Sequence, residues 1–223
     1  MKRYSALFLT RAALIAALYV ALSLLSVQLG LCSGVIQCRF SEALTILPAF
    51  LPESIPGLFI GCLLTNIISG GNPWDIAFGS VATLLGAIGT YLIGRAVRKA
   101  AKKPFESRPV LRIVVLTAMF SVSPIVANAL IIPPILKFAY GVEDAMWFLT
   151  VTVAAGEIIA CGVFGGILLA ALLKNPYTRK LLFLSDRKST PAEKEVPAEA
   201  AVEVIRACYP KEQINEKIMD YRR

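Results

Sequence analysis

Long apolar stretches separated by short polar segments run through most of the chain. Four of them are long and nearly free of charge, at about residues 7–29, 74–95, 112–132 and 146–173. A helix needs about 20 mostly apolar residues to cross the hydrocarbon core of a bilayer. The pattern therefore predicts an all-α integral membrane bundle and not a soluble core.

A fifth apolar stretch, residues 40–69, predicts two short helices instead of one. Three prolines lie near its centre, namely Pro48, Pro52 and Pro56. Each proline removes a backbone donor and disfavours helix at the residue before it. We expect a turn there, with Ser54 as the N-cap of the second helix and Pro56 in its first turn. The first helix, about 40–51, is too short to span a bilayer and suits a cavity wall.

The distribution of charge indicates six membrane-spanning helices with both termini in the cytoplasm. Basic residues are concentrated at the N-terminus, in residues 95–112 and after Lys174, while the predicted outer segments hold only Arg39 and Lys137. Cytoplasmic loops carry the excess of Lys and Arg. With five spans, the most basic loop would lie outside. The same placement argues against nucleic-acid binding, in spite of a net charge of +8, because that function needs a basic face on a soluble domain.

The domain organisation follows from a change of composition after the last apolar stretch. We predict a six-helix transmembrane domain over residues 1–175. A charged, proline-bearing linker is expected over 176–200, and a short cytoplasmic amphipathic helix of unknown role over 201–223. Histidine is absent from the chain, which removes imidazole metal sites and Ser–His or Cys–His catalysis. We expect no metal or other cofactor.

Polar residues within the predicted spans are the candidates for substrate binding. Ionisable side chains inside a membrane are costly and are functional by default. The candidates are Arg39, Glu42, Asn66, Asp75, Asn128 and Glu157. The six-span topology places most of them in the outer half of the membrane and Glu157 nearer its middle. We expect one pocket open to the outside, for a small solute that is rich in N–H donors or cationic.

Each candidate also has a structural interpretation. Asp75 is at the start of a predicted helix and is a possible cap, and Arg39 is placed to pair with Glu42. The two asparagines are residues that often join membrane helices by hydrogen bonds. Pro124 frees the carbonyl of Phe120, which Asn128 or a ligand is placed to satisfy. Glu157 is the hardest to explain by structure alone, since small residues precede it.

Small residues recur every four positions on the first predicted helix. They are Ala12 and Ala16, and then Ala13, Ala17 and Ala21. Such spacing lets helices approach closely, either within the bundle or against a separate membrane protein. The chain has no GxxxxGK[ST] loop for binding ATP and no evident inverted repeat. A binding bundle without its own energy source indicates a partner that supplies one.

Three segments resemble the queuosine-precursor transporter family, QueT. They are Gln37-Cys38-Arg39-Phe40-Ser41-Glu42-Ala43-Leu44-Thr45-Ile46-Leu47-Pro48, Pro56-Gly57-Leu58-Phe59-Ile60-Gly61-Cys62 with Asn66, and Asp75-Ile76-Ala77-Phe78-Gly79-Ser80 with Ala82-Thr83-Leu84. The resemblance covers about residues 5–175. It implies a substrate-binding (S) component of an energy-coupling factor (ECF) transporter, a multi-pass protein of a prokaryotic plasma membrane. The residues after 175 depart from the family pattern.

The resemblance also implies partners and a substrate. The partners are a transmembrane T component, docked on the alanine-rich first helix, and two cytoplasmic ATPase subunits that hydrolyse ATP, so that this chain is not an enzyme. The substrate is a 7-deazaguanine such as preQ1, which has a guanine-like edge and a cationic aminomethyl group. Glu157 or Glu42 would bind the base edge, and Asp75 or the other glutamate the amine. Arg39 would orient Glu42.

Three other interpretations remain open from the sequence. One is an S component for another solute, such as a thiamin precursor or a pteridine. A membrane-embedded enzyme would use the carboxylates as acids and bases, but no nucleophile, metal cluster or cofactor motif accompanies them. A structural subunit or small channel is the third.

Overall fold

The computed structural model describes residues 6–32, 38–100 and 109–174, and it is built from helices and the turns between them. No strand occurs in these three ranges. Six helices follow one another along the chain. They are α1 (Ala6–Gln28), a 3-10 helix (Phe40–Ala49), α2 (Ser54–Ile68), α3 (Pro73–Ala100), α4 (Pro109–Phe138) and a final continuous helix (Met146–Lys174).

Four of the six helices are long and apolar enough to cross a membrane: α1, α3, α4 and the final helix, while α2 is shorter. The prediction of an all-α protein with six helices is confirmed for the described residues, while the crossing of the membrane by all six stays a prediction. The cytoplasmic placement of both termini stays a prediction. So do the linker over 176–200 and the helix over 201–223, which lie outside the described residues.

Two of the long helices extend past the predicted ends. The predicted apolar stretch stopped at about residue 132, yet α4 continues through Pro133 and Pro134 to Phe138. Membrane helices tolerate proline where neighbouring groups satisfy the freed backbone carbonyls. Helix α3 continues through its basic end to Ala100, where long basic side chains can reach toward the interface.

The 3-10 helix is the interior element of the bundle. Every residue from Ser41 to Ala49 is buried. At a rise of about 2 Å per residue, ten residues cover roughly 20 Å, less than the thickness of the hydrocarbon core. The short helix predicted over about 40–51 had three possible arrangements, namely packing inside the bundle, tilting, or extending into the preceding segment, and its burial fits the first of them.

The turn into α2 differs from the prediction. The N-cap position is Glu53 and not Ser54, and no side chain caps the helix. Ser54 is already helical, and its hydroxyl donates a hydrogen bond backward to the carbonyl of Leu51 at 2.5 Å. Serine makes such local backbone bonds readily, which is why it is ambiguous near a helix start. Pro56 lies in the first turn of α2, as predicted.

Glycines bring α2 very close to α1. A Cβ atom at Gly57 would lie 2.7 Å from the carbonyl oxygen of Ala12, and one at Gly61 would lie 2.8 Å from the Cβ of Tyr19. The alanines of α1 therefore divide into two groups. Ala12 and Ala16 are buried toward α2. The other three predicted docking residues are exposed, namely Ala13, Ala17 and Ala21.

The carbonyl of Phe120, which Pro124 frees, is satisfied inside the bundle. The hydroxyl of Thr90 on α3 donates a hydrogen bond to it at 3.0 Å. The suggestion that Asn128 fills this role was wrong, because the amide of Asn128 is directed at Glu157 instead. The carbonyl that Pro124 leaves free is therefore satisfied by a contact between α3 and α4.

Candidate functional site

One face of α1 holds the first residues of the 3-10 helix by hydrogen bonds. Tyr19 donates to the carboxylate of Glu42, and the hydroxyls of Ser23 and Ser41 bond at 2.7 Å. Ser26 accepts from the backbone N–H of Phe40 at 2.8 Å. These residues of α1 are spaced by four and three positions, so they share one helical face. The position of Glu42 is therefore fixed by α1.

Just past the other end of the 3-10 helix, the same face of α1 makes an ion pair. Arg11 bonds the carboxylate of Glu53 at 2.9 Å, with the glutamate side chain 7% exposed and the arginine 39%. Arg98 of α3 donates to the carbonyl of Ala49 nearby. The 3-10 helix is thus tied to its neighbours at both ends.

Glu42 has one oxygen bound and one without a partner. Its side chain is 2% exposed. Oε1 accepts the hydrogen bond from the Tyr19 hydroxyl, while Oε2 is buried and has no hydrogen-bond partner among the described residues. A buried polar atom left without a partner is costly and calls for an explanation. A ligand with a hydrogen-bond donor would provide one.

Glu157 lies beside Glu42, although the two are far apart in the sequence. Its Oε1 accepts from the side-chain amide of Asn128 at 2.9 Å, and its Oε2 lies 3.3 Å from the thiol of Cys161. One oxygen of each glutamate and the sulfur of Cys161 all lie within 4.8 Å of one another. The 3-10 helix, α4 and the final helix therefore meet at a pair of carboxylates.

A π-helical turn shapes the final helix at this point. It covers Ile158–Phe164, directly after Glu157. Ser121 of α4 donates to the carbonyl of Cys161 at 3.1 Å, and the Cys161 thiol lies 3.4 Å from the hydroxyl of Thr45. Such turns are rare in proteins overall, and many of those that occur lie at functional sites. Here the turn directly follows Glu157 and contains Cys161, whose thiol is hydrogen-bonded to the Glu157 carboxylate.

The remaining predicted residues form a second polar group. Arg39 donates to the side-chain oxygen of Asn66 at 3.4 Å, and the Asn66 amide donates to the backbone carbonyl of Asp75 at 3.4 Å. The carboxylate of Asp75 accepts from the hydroxyl of Tyr140 at 3.2 Å. The six candidates thus lie in two clusters: Glu42, Asn128 and Glu157 in one, and Arg39, Asn66 and Asp75 in the other.

Two of the structural interpretations fail at this second group. Arg39 does not form a salt bridge with Glu42, because its guanidinium donates to the side-chain oxygen of Asn66 instead. Asp75 is not the helix cap, because the side chain of Asn72 accepts the hydrogen bond from the backbone N–H of Trp74 at 3.1 Å. Asn66 and Asn128 do join helices, as one interpretation expected.

Tyr140 fastens the loop before α3 to the segment after α4. The backbone N–H of Asn72 donates to its hydroxyl at 3.1 Å, and the Asn72 amide donates to the carbonyl of Ala139 at 3.1 Å. Burial is the main cause that raises the pKa of Tyr140, and the neighbouring Asp75 adds to it. The hydroxyl therefore stays protonated and serves as the donor to Asp75.

Two site residues, Tyr19 and Cys161, were missed by the sequence analysis. Both are compatible with an apolar helix, so composition does not distinguish them from core residues. A pattern was available for Tyr19, because it shares a helical face with Ser23 and Ser26. Cys161 lies one turn after Glu157, which places its thiol next to the carboxylate.

The chemistry of the Glu42–Glu157 cluster suits a cation. Two carboxylates and a thiol are possible ligands for a metal ion, and their distances allow it. They suit a cationic organic group equally well. Two surface cavities, of about 370 and 580 Å³, are lined mostly by apolar residues, and neither includes a predicted substrate-binding residue.

The four long apolar helices define a multi-pass membrane protein, with polar clusters inside the bundle. The profile of the QueT transporter family matches residues 9–174, and the chain belongs to that family. Family membership implies transport of a queuosine precursor. No curated protein and no solved structure matches the chain.

Proposed function

We propose that this chain is the substrate-capture subunit of an ECF-type importer in a prokaryotic plasma membrane. In this proposal it binds a 7-deazaguanine such as preQ1 from outside. A transmembrane T component and two ATPase subunits drive the uptake. The observation that carries the proposal is the buried oxygen of Glu42 that has no hydrogen-bond partner. It lies in a transporter-family bundle beside a second carboxylate.

The polar clusters supply the acceptors that such a ligand needs. A 7-deazaguanine with an aminomethyl group presents ring N–H groups, an exocyclic amine and a cation. Glu42 and Glu157 offer carboxylates at one place, and Asn128 orients the second of them. Asp75 and Asn66 offer further polar atoms. Arg39 acts on Asn66 in this proposal, since that is the side chain it contacts.

The docking surface for the T component is proposed on α1. Ala13, Ala17 and Ala21 form an exposed stripe of small residues on that helix. Large apolar side chains beside them are also exposed, among them Leu14 and Leu18. Small-residue stripes let membrane helices approach closely. Ala12 and Ala16 contribute indirectly, by packing α1 against α2.

Binding of preQ1 to the purified protein, measured by calorimetry, tests the substrate. The double variant Glu42→Gln/Glu157→Gln keeps the side-chain shape but removes both charges. We expect it to lose binding, while Glu143→Gln, a change at an exposed position, leaves the affinity unchanged. An unchanged affinity in the double variant would sink the site assignment. Mass spectrometry of the molecule retained after mild extraction would identify another solute if preQ1 is wrong.

Co-purification tests the partners. The tagged chain, expressed with candidate T and ATPase subunits, is expected to retain them in mild detergent. Ala17→Leu would fill the middle of the exposed stripe and should release the partners, whereas Ala96→Leu, the same change at an exposed position of α3, serves as its control. Retention of both ATPase subunits by Ala17→Leu as strongly as by the wild type would contradict the docking surface.

A further inference from the structure

Among the described residues, no positively charged side chain is seen to hydrogen-bond the Glu42–Glu157 pair. Arg11 pairs with Glu53. Arg39 is near enough to act on both carboxylates through its charge, but its guanidinium donates to Asn66. The groups that do contact the pair are a tyrosine hydroxyl, an amide and a thiol, all of them neutral donors. Carboxylates inside a membrane protein normally have compensating charges, and Arg39 is one positive charge beside two carboxylates, so a cationic group of the ligand would supply the second.

The hydrogen bonds already made decide the shape of the group that fits. A planar edge with two parallel N–H groups binds a single carboxylate through both of its oxygens. Glu42 has Oε1 occupied by Tyr19, and Glu157 has Oε1 bound to Asn128 and Oε2 facing the Cys161 thiol. Neither carboxylate therefore has both oxygens free of other hydrogen bonds, which favours a single contact from each of the two carboxylates over a paired contact with one of them.

The two carboxylates do converge on one place from different helices. One oxygen of each lies within 4.8 Å of the other. Glu42 Oε2 is fully without a partner, and a thiol is a weak donor that a stronger one displaces. A compact group with three N–H donors pointing in different directions fits such an arrangement. A primary ammonium is that group.

We propose that Glu42 and Glu157 together form a subsite for a primary ammonium group of the ligand. Tyr19 is a positioning residue, which holds Glu42 Oε1 so that Oε2 is directed to the ammonium. Asp75 is not part of this subsite, because it belongs to the separate cluster with Tyr140 and Asn66. The inference rests on the proposed function and sharpens it: the carboxylate pair binds the amine and not the ring edge.

Three 7-deazaguanines that differ only at position 7 test this subsite. They carry an aminomethyl group, a cyano group or hydrogen there, and their binding to the full chain is measured by calorimetry. We expect the wild type to bind the aminomethyl compound on the order of 100-fold more tightly than the other two, since a charge-assisted contact is lost with them. This comparison needs no variant and is independent of any folding defect.

Single variants then locate the effect. Glu42→Gln and Glu157→Gln are each expected to abolish the preference for the aminomethyl compound while leaving the weaker binding of the cyano compound unchanged. Tyr19→Phe is expected to weaken only the aminomethyl compound, by about 10-fold. Retained binding of the cyano compound shows that each variant is folded. Glu143→Gln should keep the full preference.

Two results would overturn the ammonium subsite. One is equal binding of the aminomethyl and cyano compounds by the wild type. The other is an equal loss of all three compounds in Glu42→Gln, which would place the ring edge at the pair. Binding of none of the three would refute the proposed 7-deazaguanine ligand itself, and the ammonium subsite with it.

Discussion

Replacing Gly94 with alanine is expected to destabilise the bundle where α3 packs on the 3-10 helix. A Cβ atom at this position would lie 2.5 Å from the carbonyl oxygen of Ala49 and 2.6 Å from its Cα. Ordinary contacts of a Cβ begin at 3.4 Å, so the two segments must separate by about 0.9 Å. The opposed atoms are backbone, which cannot rotate away.

The expected loss of stability in Gly94→Ala is the difference between two opposing effects. Overpacking of this kind costs about 3 kcal/mol, the upper part of the usual range, because backbone must move. Alanine is a better helix former than glycine by about 1 kcal/mol, which offsets part of the cost. The net loss of about 2 kcal/mol corresponds to a fall in Tm of roughly 4–8 °C for a chain of this size.

The buried thiols provide the assay. Cys62 and Cys161 are 1% and 3% exposed, so a thiol-reactive fluorescent dye reports their exposure as the protein unfolds in detergent. Gly162→Ala is the matched control, since its Cβ would meet only Ile158 of its own helix, at 3.9 Å. We expect its Tm to equal or exceed that of the wild type. A Gly94→Ala protein that melts no lower than Gly162→Ala would refute the close approach.

Three further substitutions test individual contacts with the same melting assay. Arg11→Ala leaves the buried carboxylate of Glu53 unpaired and should lower the stability by about 1–3 kcal/mol. Adding Glu53→Gln should restore part of that stability. If the losses of the two variants are strictly additive, the Arg11–Glu53 ion pair does not stabilise the protein. Thr90→Val removes the donor to the Phe120 carbonyl and should lower the stability by about 1 kcal/mol. An unchanged Tm would mean that water takes the place of the hydroxyl. Tyr140→Phe should cost about 0.5–1.5 kcal/mol, and an unchanged Tm would show that its three-way contact is not stabilising.

The long helices were predictable because a membrane selects for composition. Any residue that faces lipid must be apolar, so hydropathy alone locates α1, α3, α4 and the final helix. The ends were less certain, as α4 shows by continuing through Pro133 and Pro134. Whether a proline ends a helix depends on which neighbours satisfy the freed carbonyls, and those neighbours are distant in sequence.

The site was predictable only in part, for a related reason. Glu42 and Glu157 stand out because a carboxylate inside a membrane is costly wherever it lies. Tyr19 and Cys161 carry no such cost, so composition does not separate them from core residues, and the one available signal is the helical face that Tyr19 shares with Ser23 and Ser26. The hydrogen-bond partner of Arg39 could not be predicted from the sequence either. The 3-10 geometry of the following segment decides whether the Arg39 side chain faces Glu42 or Asn66.

The two faces of α1 connect ligand binding with docking. One face holds the 3-10 helix from the Arg11–Glu53 ion pair to the bond between Ser26 and Phe40. The other exposes the small residues proposed to contact the T component. A rotation or shift of α1 would therefore move Tyr19 and, through it, Glu42. In the proposed importer, contact with the partner is transmitted to the ammonium subsite through a single rigid helix, and Tyr19→Phe should weaken any effect of docking on ligand affinity.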